Sequence, residues 1–244
     1  MVKRIYTPCK DCYYEWVVDQ TIYYMKKYHG FDIIKTYYKP ADFYVGECDV
    51  VNYGIVWCDK PGKGNNVLMD NRIIIVTTTW LKEYMEKNGI KVEQVIPWGI
   101  NDEMVQKYVN FNFNARRGYI MMGKNIPNDI LKVFEGKRAE LTLPNLDFQS
   151  VSEEVKYYML SHSLFYIGLS DDIPALEAIS VGTPLIYMKG HEEHACGIAI
   201  DDINDLKKIE VNKEEWEGLS WKCWFKSLRH HYITIGQELW GWLK

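Results

Sequence analysis

The chain has 244 residues, 47% of them hydrophobic and 25% charged, with a formal net charge of −4. These are globular values, sufficient for one large or two small domains with buried cores. A slightly acidic balance with dispersed lysines gives no global field for nucleic acid, and no apolar run approaches a membrane span in length.

Met1 to Ile5 is basic but leads straight into a strand pattern, so no signal peptide is expected and the cytoplasm is the expected location. The six cysteines are Cys9, Cys12, Cys48, Cys58, Cys196 and Cys223. Without a secretory signal they are not expected to form a disulfide framework, intracellular proteins of hyperthermophiles being the exception. The 18 tyrosines and 9 tryptophans suit either stacking surfaces for sugars or bases, or large cores.

Val2 to Thr7 reads as a first strand, and Tyr13 to Tyr28 as a helix with Tyr13, Trp16, Val17 and Tyr24 on one face. His29-Gly30 stops it. Phe31 to Tyr37 and Asp49 to Val56 read as the second and third strands. Pro61 to Asn66 is rich in turn residues. Arg72 to Thr77 is a strand, Trp80 to Asn88 a helix ended by Gly89, and Val92 to Ile96 another strand. Tyr108 to Arg116, rich in Asn and Phe, reads as a linker. Gly118 to Met122 then opens a second sheet. Leu131 to Phe134 is a short helix, and Ala139 to Leu143 a strand. Ser152 to Ser161 is a helix expected to turn Val155, Tyr158 and Met159 inward. Glu214 to Lys244 gives one or two Trp-rich helices. Strands alternating with helices argue for parallel, doubly wound sheets.

The densest signal runs from Phe165 to Gly190. An apolar strand ends near Ile167, and Ser170, Asp171 and Asp172 form a loop with Pro174 near the first turn of a helix. The helix carries Leu176, Glu177, Ala178 and Ile179 and stops at Gly182; Leu185 to Met188 is the next strand. Two acids, Asp171 and Glu177, therefore sit at the carboxyl end of a strand and in the following helix, where ligands of open α/β sheets bind. Free N–H groups at the helix start suit a phosphate, and carboxylates there can accept bonds from sugar hydroxyls.

Ser170-Asp171-Asp172-Ile173-Pro174-Ala175-Leu176-Glu177-Ala178, then Gly182-Thr183-Pro184, resembles the donor-binding segment of GT-B glycosyltransferases, specifically retaining glycosyltransferase family 4. The first family acid is usually Glu and lies slightly further from the second. A second resemblance is Ile73 to Glu83, then Gly89-Ile90, then Val95-Ile96-Pro97-Trp98-Gly99-Ile100-Asn101. It looks like the end of the family's N-terminal domain, with Trp98 in place of Asn and Asn101 in place of Asp.

The resemblance implies an α/β GT-B fold, two Rossmann-like domains with a cleft between them. Residues 1–110 would form the acceptor-side domain and 111–225 the nucleotide-sugar donor domain. Residues 226–244 would be a helix packing back on the first domain. It also implies transfer of a sugar from a nucleotide-diphosphate donor to an acceptor hydroxyl, with retention. Glu177 would grip the ribose. Asp171, as the catalytic residue, would hold the transferred sugar with Ser170 and the N–H groups of Asp172 and Ile173. Lys124 matches the family's diphosphate cation; the family's second lysine has no clear counterpart, Lys132, Lys137 and Arg138 being unaligned substitutes. Thr7, Tyr53 and Trp98 would line the acceptor side. The family's N-terminal Gly-rich loop and histidine are not recognisable. No cofactor is implied, the nucleotide sugar being the substrate. The partners implied are that donor and a glycan, lipid or protein acceptor, with no nucleic acid; peripheral membrane contact is compatible with the chain.

Other motifs compete with this reading. Cys9-x-x-Cys12 between strand and helix is where thioredoxin-like proteins place a redox pair. A zinc site from Cys9, Cys12, Cys48 and Cys58 has suitable chemistry but too wide a second spacing, so a structural disulfide or buried thiols is favoured over it. His191-Glu-Glu-His194 is not the zincin motif, and Pro61-Gly-Lys-Gly lacks the Lys-Ser/Thr end of a P-loop. No Asp-x-Asp occurs, which argues against the metal-dependent GT-A class. The alternative within the same fold is a non-catalytic nucleotide-sugar or partner-binding module.

Overall fold

A computed structural model describes residues 2–51, 53–62, 72–122, 127–135, 141–142, 152–168, 173–190 and 195–244. The chain forms two compact units, Met1–Gly99 with His230–Lys244, and Ile100–Arg229.

The first unit is built on six strands: β1 (Lys3–Tyr6), β2 (Ile33–Thr36), β3 (Phe43–Gly46), β4 (Gly54–Cys58), β5 (Arg72–Val76) and β6 (Gln94–Val95). All pairings are parallel, in the order β2-β1-β3-β4-β5-β6. The reversal of strand order beside β1 is the topological switch at which such sheets bind ligands. Helix α1 (Tyr13–His29) buries Val17, Val18, Thr21, Tyr24 and Met25, the stripe expected of an amphipathic helix. It ends on Gly30, whose φ of 65° is the left-handed cap that glycine tolerates. Helix α2 (Thr79–Lys87) starts where the Thr78 side chain accepts the Leu81 N–H. The core between sheet and α2 includes Tyr44, Val56, Ile74, Val76, Leu81 and Met85.

The third strand is not where the sequence pattern puts it. Phe43–Gly46 is a separate strand, and the one expected from Asp49 begins only at Gly54. Three apolar residues between Asp42 and Gly46 make a weak signal, yet Phe43, Tyr44 and Val45 are all buried. The Asp42 carboxylate anchors the strand's entry by accepting the Arg4 N–H at 2.7 Å. The cysteines depart from the expectation of no disulfide framework and match the reading as structural disulfides or buried thiols. Disulfides join Cys9 to Cys12 and Cys48 to Cys58, while Cys196 and Cys223 are free and buried.

The second unit carries helix α3 (Asp102–Tyr108), β7 (Arg117–Ile120), α4 (Asn128–Val133), β8 (Leu141–Thr142), α5 (Glu153–His162), β9 (Ser163–Ile167), α6 (Ile173–Ser180), β10 (Leu185–Met188), β11 (Gly197–Ile200) and α7 (Lys213–Ser227). Its five parallel strands run in the order β11-β10-β9-β7-β8. Alternation along β9 feeds both faces. Tyr166 joins a core with Ile120, Leu176, Ile179 and Leu185, and Phe165 and Ile167 join another with Ile130, Ile186, Leu206 and Trp216.

Helix α5 is rotated from its expected phase. Tyr157 and Leu160 are buried, whereas Val155 and Tyr158 are 48% and 52% exposed. Ser152 caps the helix by accepting the Val155 N–H, which fixes where the first turn begins and so which side chains meet the sheet. The Asn-rich stretch from Tyr108 to Arg116 is packed within the second unit. The fully buried Arg116 guanidinium donates to the carbonyls of Ser163 at 2.8 Å, Val181 at 2.7 Å, Leu160 at 3.3 Å and Asn110, and to the Thr183 hydroxyl. It also lies over the Trp216 ring, 4.9 Å from its centroid.

After α7 the chain returns to the first unit as α8 (Tyr232–Leu243), packed on α1. Tyr232 stacks on Tyr24 at 5.4 Å, Trp240 stacks on Phe31 at 3.9 Å, and Trp242 donates to Gln94 at 2.8 Å. Tyr232 lies so close to Gly99 that a Cβ there would fall 2.2 Å from its ring, so only glycine fits.

Candidate functional site

The strongest sequence signal folds as one unit: β9, a loop, α6, a turn and β10, with β9 and β10 parallel neighbours. Pro174 is the second residue of α6, where its missing N–H is harmless. Gly182 ends the unit at φ 81°, with the Asn110 carbonyl and Ser220 hydroxyl each 3.0 Å from where a Cβ would stand. Ser170, Asp171, Asp172 and Lys124 lie outside the described residues. Ile173, half-buried, is the first residue of α6.

Glu177 lies in the second turn of α6 and is 1% exposed. A ribose-binding role leads one to expect this carboxylate to point into the cleft rather than the core; the structure buries it. Its charge is answered from α5, where Lys156 Nζ lies 2.5 Å from Oε1. The other oxygen, Oε2, is buried with no hydrogen-bond partner at bonding geometry among the described residues. Burial pushes the carboxyl above its ordinary range. Lys156 opposes that shift, Glu153 adds to it, and the nearby Tyr157 hydroxyl helps to hold the charge. An acceptor oxygen without a donor inside a packed unit costs free energy, and a hydroxyl of a ligand would relieve that cost.

Lys156 and Glu153 are not visible as site residues in the sequence. They lie twenty-one and twenty-four positions before Glu177 and reach it only through packing of α5 on α6. The usable signal is the pair of charges, Glu153 and Lys156, one turn apart on a helix next to the sheet.

In the first unit Thr7 follows β1 and is fully buried, donating its hydroxyl to the Cys9 carbonyl at 3.3 Å. Trp98 is buried with its ring 4.3 Å from that of Trp57. Tyr53 is exposed, its ring edge-on to Tyr44. A carboxylate that the sequence does not single out stands at the carboxyl end of β4. Asp59 accepts the Tyr14 hydroxyl at 2.8 Å, and burial raises its carboxyl above the ordinary range. Among the described residues no group of three His, Cys, Asp or Glu side chains is placed to hold a metal, and no helix is long and apolar enough to cross a membrane. His191 and His194 lie outside the described residues.

No protein-family model matches the chain. It is 60% identical, over 267 aligned positions, to a protein of Sulfolobus islandicus filamentous virus (isolate Iceland/Hveragerdi) named "Putative glycosyltransferase 63", covering 100% of this chain and 99% of that one. A second protein of that virus, "Putative glycosyltransferase 48", is 36% identical over 84 residues, 30% of this chain and 27% of its own length. Among solved structures, sucrose-phosphate synthase from Thermosynechococcus elongatus superposes with a TM-score of 0.57 at 12% identity, over 93% of this chain and 76% of that one. The glycosyltransferase SnogD from Streptomyces nogalater superposes with a TM-score of 0.52 at 8% identity, over 100% of this chain and 99% of that one. The structural likeness speaks for the fold, and the full-length identity for the family: this chain belongs to the glycosyltransferases, with an α/β fold of the GT-B type.

Proposed function

We propose that the chain transfers a sugar from a nucleotide-diphosphate donor to an acceptor hydroxyl, with retention at the anomeric carbon and without a required metal. The observation that carries this reading is Glu177: a buried carboxylate one turn into the helix after β9, with one oxygen held by Lys156 and the other without a partner among the described residues. A ribose hydroxyl donates to that second oxygen. Lys156 favours the charged, accepting form of the carboxylate against the burial that raises it, and charge-assisted bonds are the strong ones.

The remaining roles follow the sequence resemblance. Asp171 and Ser170, with the N–H groups of Asp172 and Ile173, hold the transferred sugar. Lys124 and the start of α6 neutralise the leaving diphosphate. Thr7, Tyr53 and Trp98 belong to the acceptor side, where the burial of Thr7 and Trp98 leaves Tyr53 as the exposed member of the three. The lack of an Asp-x-Asp pair in the sequence supports diphosphate neutralisation by lysine and N–H groups.

The test is calorimetric titration with a panel of nucleotide sugars, followed by proton NMR of the anomeric signal during turnover or slow donor hydrolysis. Binding and a product of unchanged anomeric configuration are expected. An inverted product overturns the retention. Binding without turnover across acceptors would instead identify a nucleotide-sugar-binding module.

A further inference from the structure

Helix α7 turns Trp216, Ser220, Cys223 and Ser227 into the second unit, at the spacing of a single buried stripe. Its opposite face does not read as an ordinary solvated surface. Trp221 is 52% exposed and Phe225 73% exposed, one helical turn apart. Phe111 stacks on Trp221 with centroids 3.8 Å apart and planes at 11°, and meets Trp224 edge-on at 5.8 Å. Trp221 and Trp224 are themselves edge-to-face at 5.7 Å. The result is a braced aromatic platform with Trp221 and Phe225 on its outer side.

The sequence on either side of the platform is mostly basic, Glu217, one turn before Trp221 and paired to Lys213, being the acid nearest to it along α7. From Gly218 to Gln237 there is no Asp or Glu, while Lys222, Lys226 and Arg229 occur there; from Tyr108 to Gly118, which includes Phe111, there is again no acid. Lys222 and Arg229 are exposed. The acids of α7 are confined to its start. Glu215 closes a capping box with Asn212, and Glu217 pairs with Lys213 at 3.8 Å. A helix dipole accounts for acids at the start and bases at the end, but it gives no reason to hold a Trp and a Phe in water. In a chain whose overall charge is −4, a cationic face with exposed aromatic rings is a local exception.

We propose that the outer face of α7, with Phe111, Trp221, Lys222, Phe225 and Arg229, docks on an anionic phospholipid surface. Trp and Phe enter the boundary between headgroups and acyl chains, where an indole satisfies both phases. Lys222 and Arg229 extend their stems along the same boundary and place their charges at the phosphates. The contact is interfacial, not spanning, and does not depend on the donor reading of Glu177.

The test is co-sedimentation of the full chain with phosphatidylcholine vesicles, with and without phosphatidylglycerol, at low and high salt. The parent is expected to pellet with the phosphatidylglycerol vesicles and to be released by salt. Trp221→Ser/Phe225→Ser is expected to weaken binding about tenfold or more, the effect of removing apolar area from an interfacial helix. Lys222→Glu, a change in water that leaves the platform packing alone, is expected to weaken binding to the anionic vesicles as well, and keeps the test open should the double variant fold poorly. Trp80→Ser, on α2 and also exposed, is the control expected to bind as the parent does. Absence of binding to anionic vesicles overturns the proposal, as does equal binding to pure phosphatidylcholine. Self-association of the parent in solution that Trp221→Ser/Phe225→Ser abolishes also overturns it, since the face would then be covered by a second copy.

Discussion

Lys156 Nζ lies 2.5 Å from Glu177 Oε1, and Glu177 Oε2, on the same buried carboxylate, has no hydrogen-bond partner among the described residues. The lysine supplies the charge balance, and the buried, unpartnered oxygen is the remaining acceptor.

Glu177→Gln should therefore lose donor affinity without losing the fold. The amide keeps the shape and one carbonyl acceptor but gives up the charge-assisted bond. The expected loss is about 1.5–3 kcal/mol, the range for a bond to a charged group, or roughly ten- to a hundred-and-fifty-fold in Kd. Calorimetric titration with a nucleotide sugar that binds the parent measures it, and circular dichroism checks the fold. Unchanged affinity would make Glu177 a structural partner of Lys156 alone.

The same carboxylate gives a pH signature. Burial raises its folded-state value above the ordinary 4.5. A raised carboxyl binds its proton more tightly folded than unfolded, so its contribution to stability is full below the unfolded value and is lost as pH rises through the folded one. In that window the urea midpoint of the parent should fall with rising pH, and Glu177→Gln should flatten the slope. Lys156→Met removes the cation that opposes the shift and should extend the decline to higher pH. Parent and Glu177→Gln profiles of equal slope would place the titration on another group, Asp59 and Glu238 being carboxyls also raised by burial.

Arg116 should be among the most costly residues to replace. Burial holds its guanidinium below the ordinary arginine range, and it faces four carbonyls and a hydroxyl with no carboxylate among those partners. Two of those carbonyls, Leu160 and Val181, lie at the ends of α5 and α6, where helix carbonyls lack intrahelical partners, and they also accept the Thr183 hydroxyl and the Asn110 N–H, respectively. Arg116→Lys keeps a charge but not the fork that reaches several acceptors at once. About 2–5 kcal/mol of stability should be lost, the worth of one or two hydrogen bonds to a charged group. Denaturant unfolding measures it; a loss below about 1 kcal/mol would mean that water replaces the guanidinium.

Much of the architecture is legible in the sequence because its causes are local. The β-branched run at Ile73–Val76, the stop at Gly182 and the stripe of α1 each follow from side chains a few positions apart. The misses share a different origin. Strand β3 has four residues, three of them apolar side chains, and exists because β1 and β4 flank it. The phase of α5 is set by the Ser152 cap and by the sheet below it, not by its own weak pattern. Lys156 reaches Glu177 only when α5 packs on α6. The donor loop residues Ser170, Asp171 and Asp172 stand out in the sequence but fall outside the described structure, where Ile173 and Glu177 represent the site.

An expected cytoplasmic location argues against a disulfide framework, but the sequence also offers structural disulfides or buried thiols, and register decides the pairing. Gly46 on β3 lies opposite Cys58 on β4, which brings Cys48, two residues further on, against Cys58. The intact chain should therefore weigh less than its fully reduced form by the mass of four hydrogen atoms, two for each disulfide. Cys9 and Cys12 are half-buried while Cys48 and Cys58 are buried, so a mild reductant should open Cys9–Cys12 first. The two bridges should also differ in worth. Cys48–Cys58 spans 10 positions, and loop closure in the unfolded chain sets its contribution at about 2.5–3 kcal/mol. Cys9–Cys12 spans 3 positions and should contribute about 1–2 kcal/mol. Denaturation of Cys48→Ala/Cys58→Ala beside Cys9→Ala/Cys12→Ala measures the difference. If the first pair of changes costs no more than the second, then β3–β4 register alone holds that loop, and the Cys48–Cys58 bridge follows from the fold without adding to its stability.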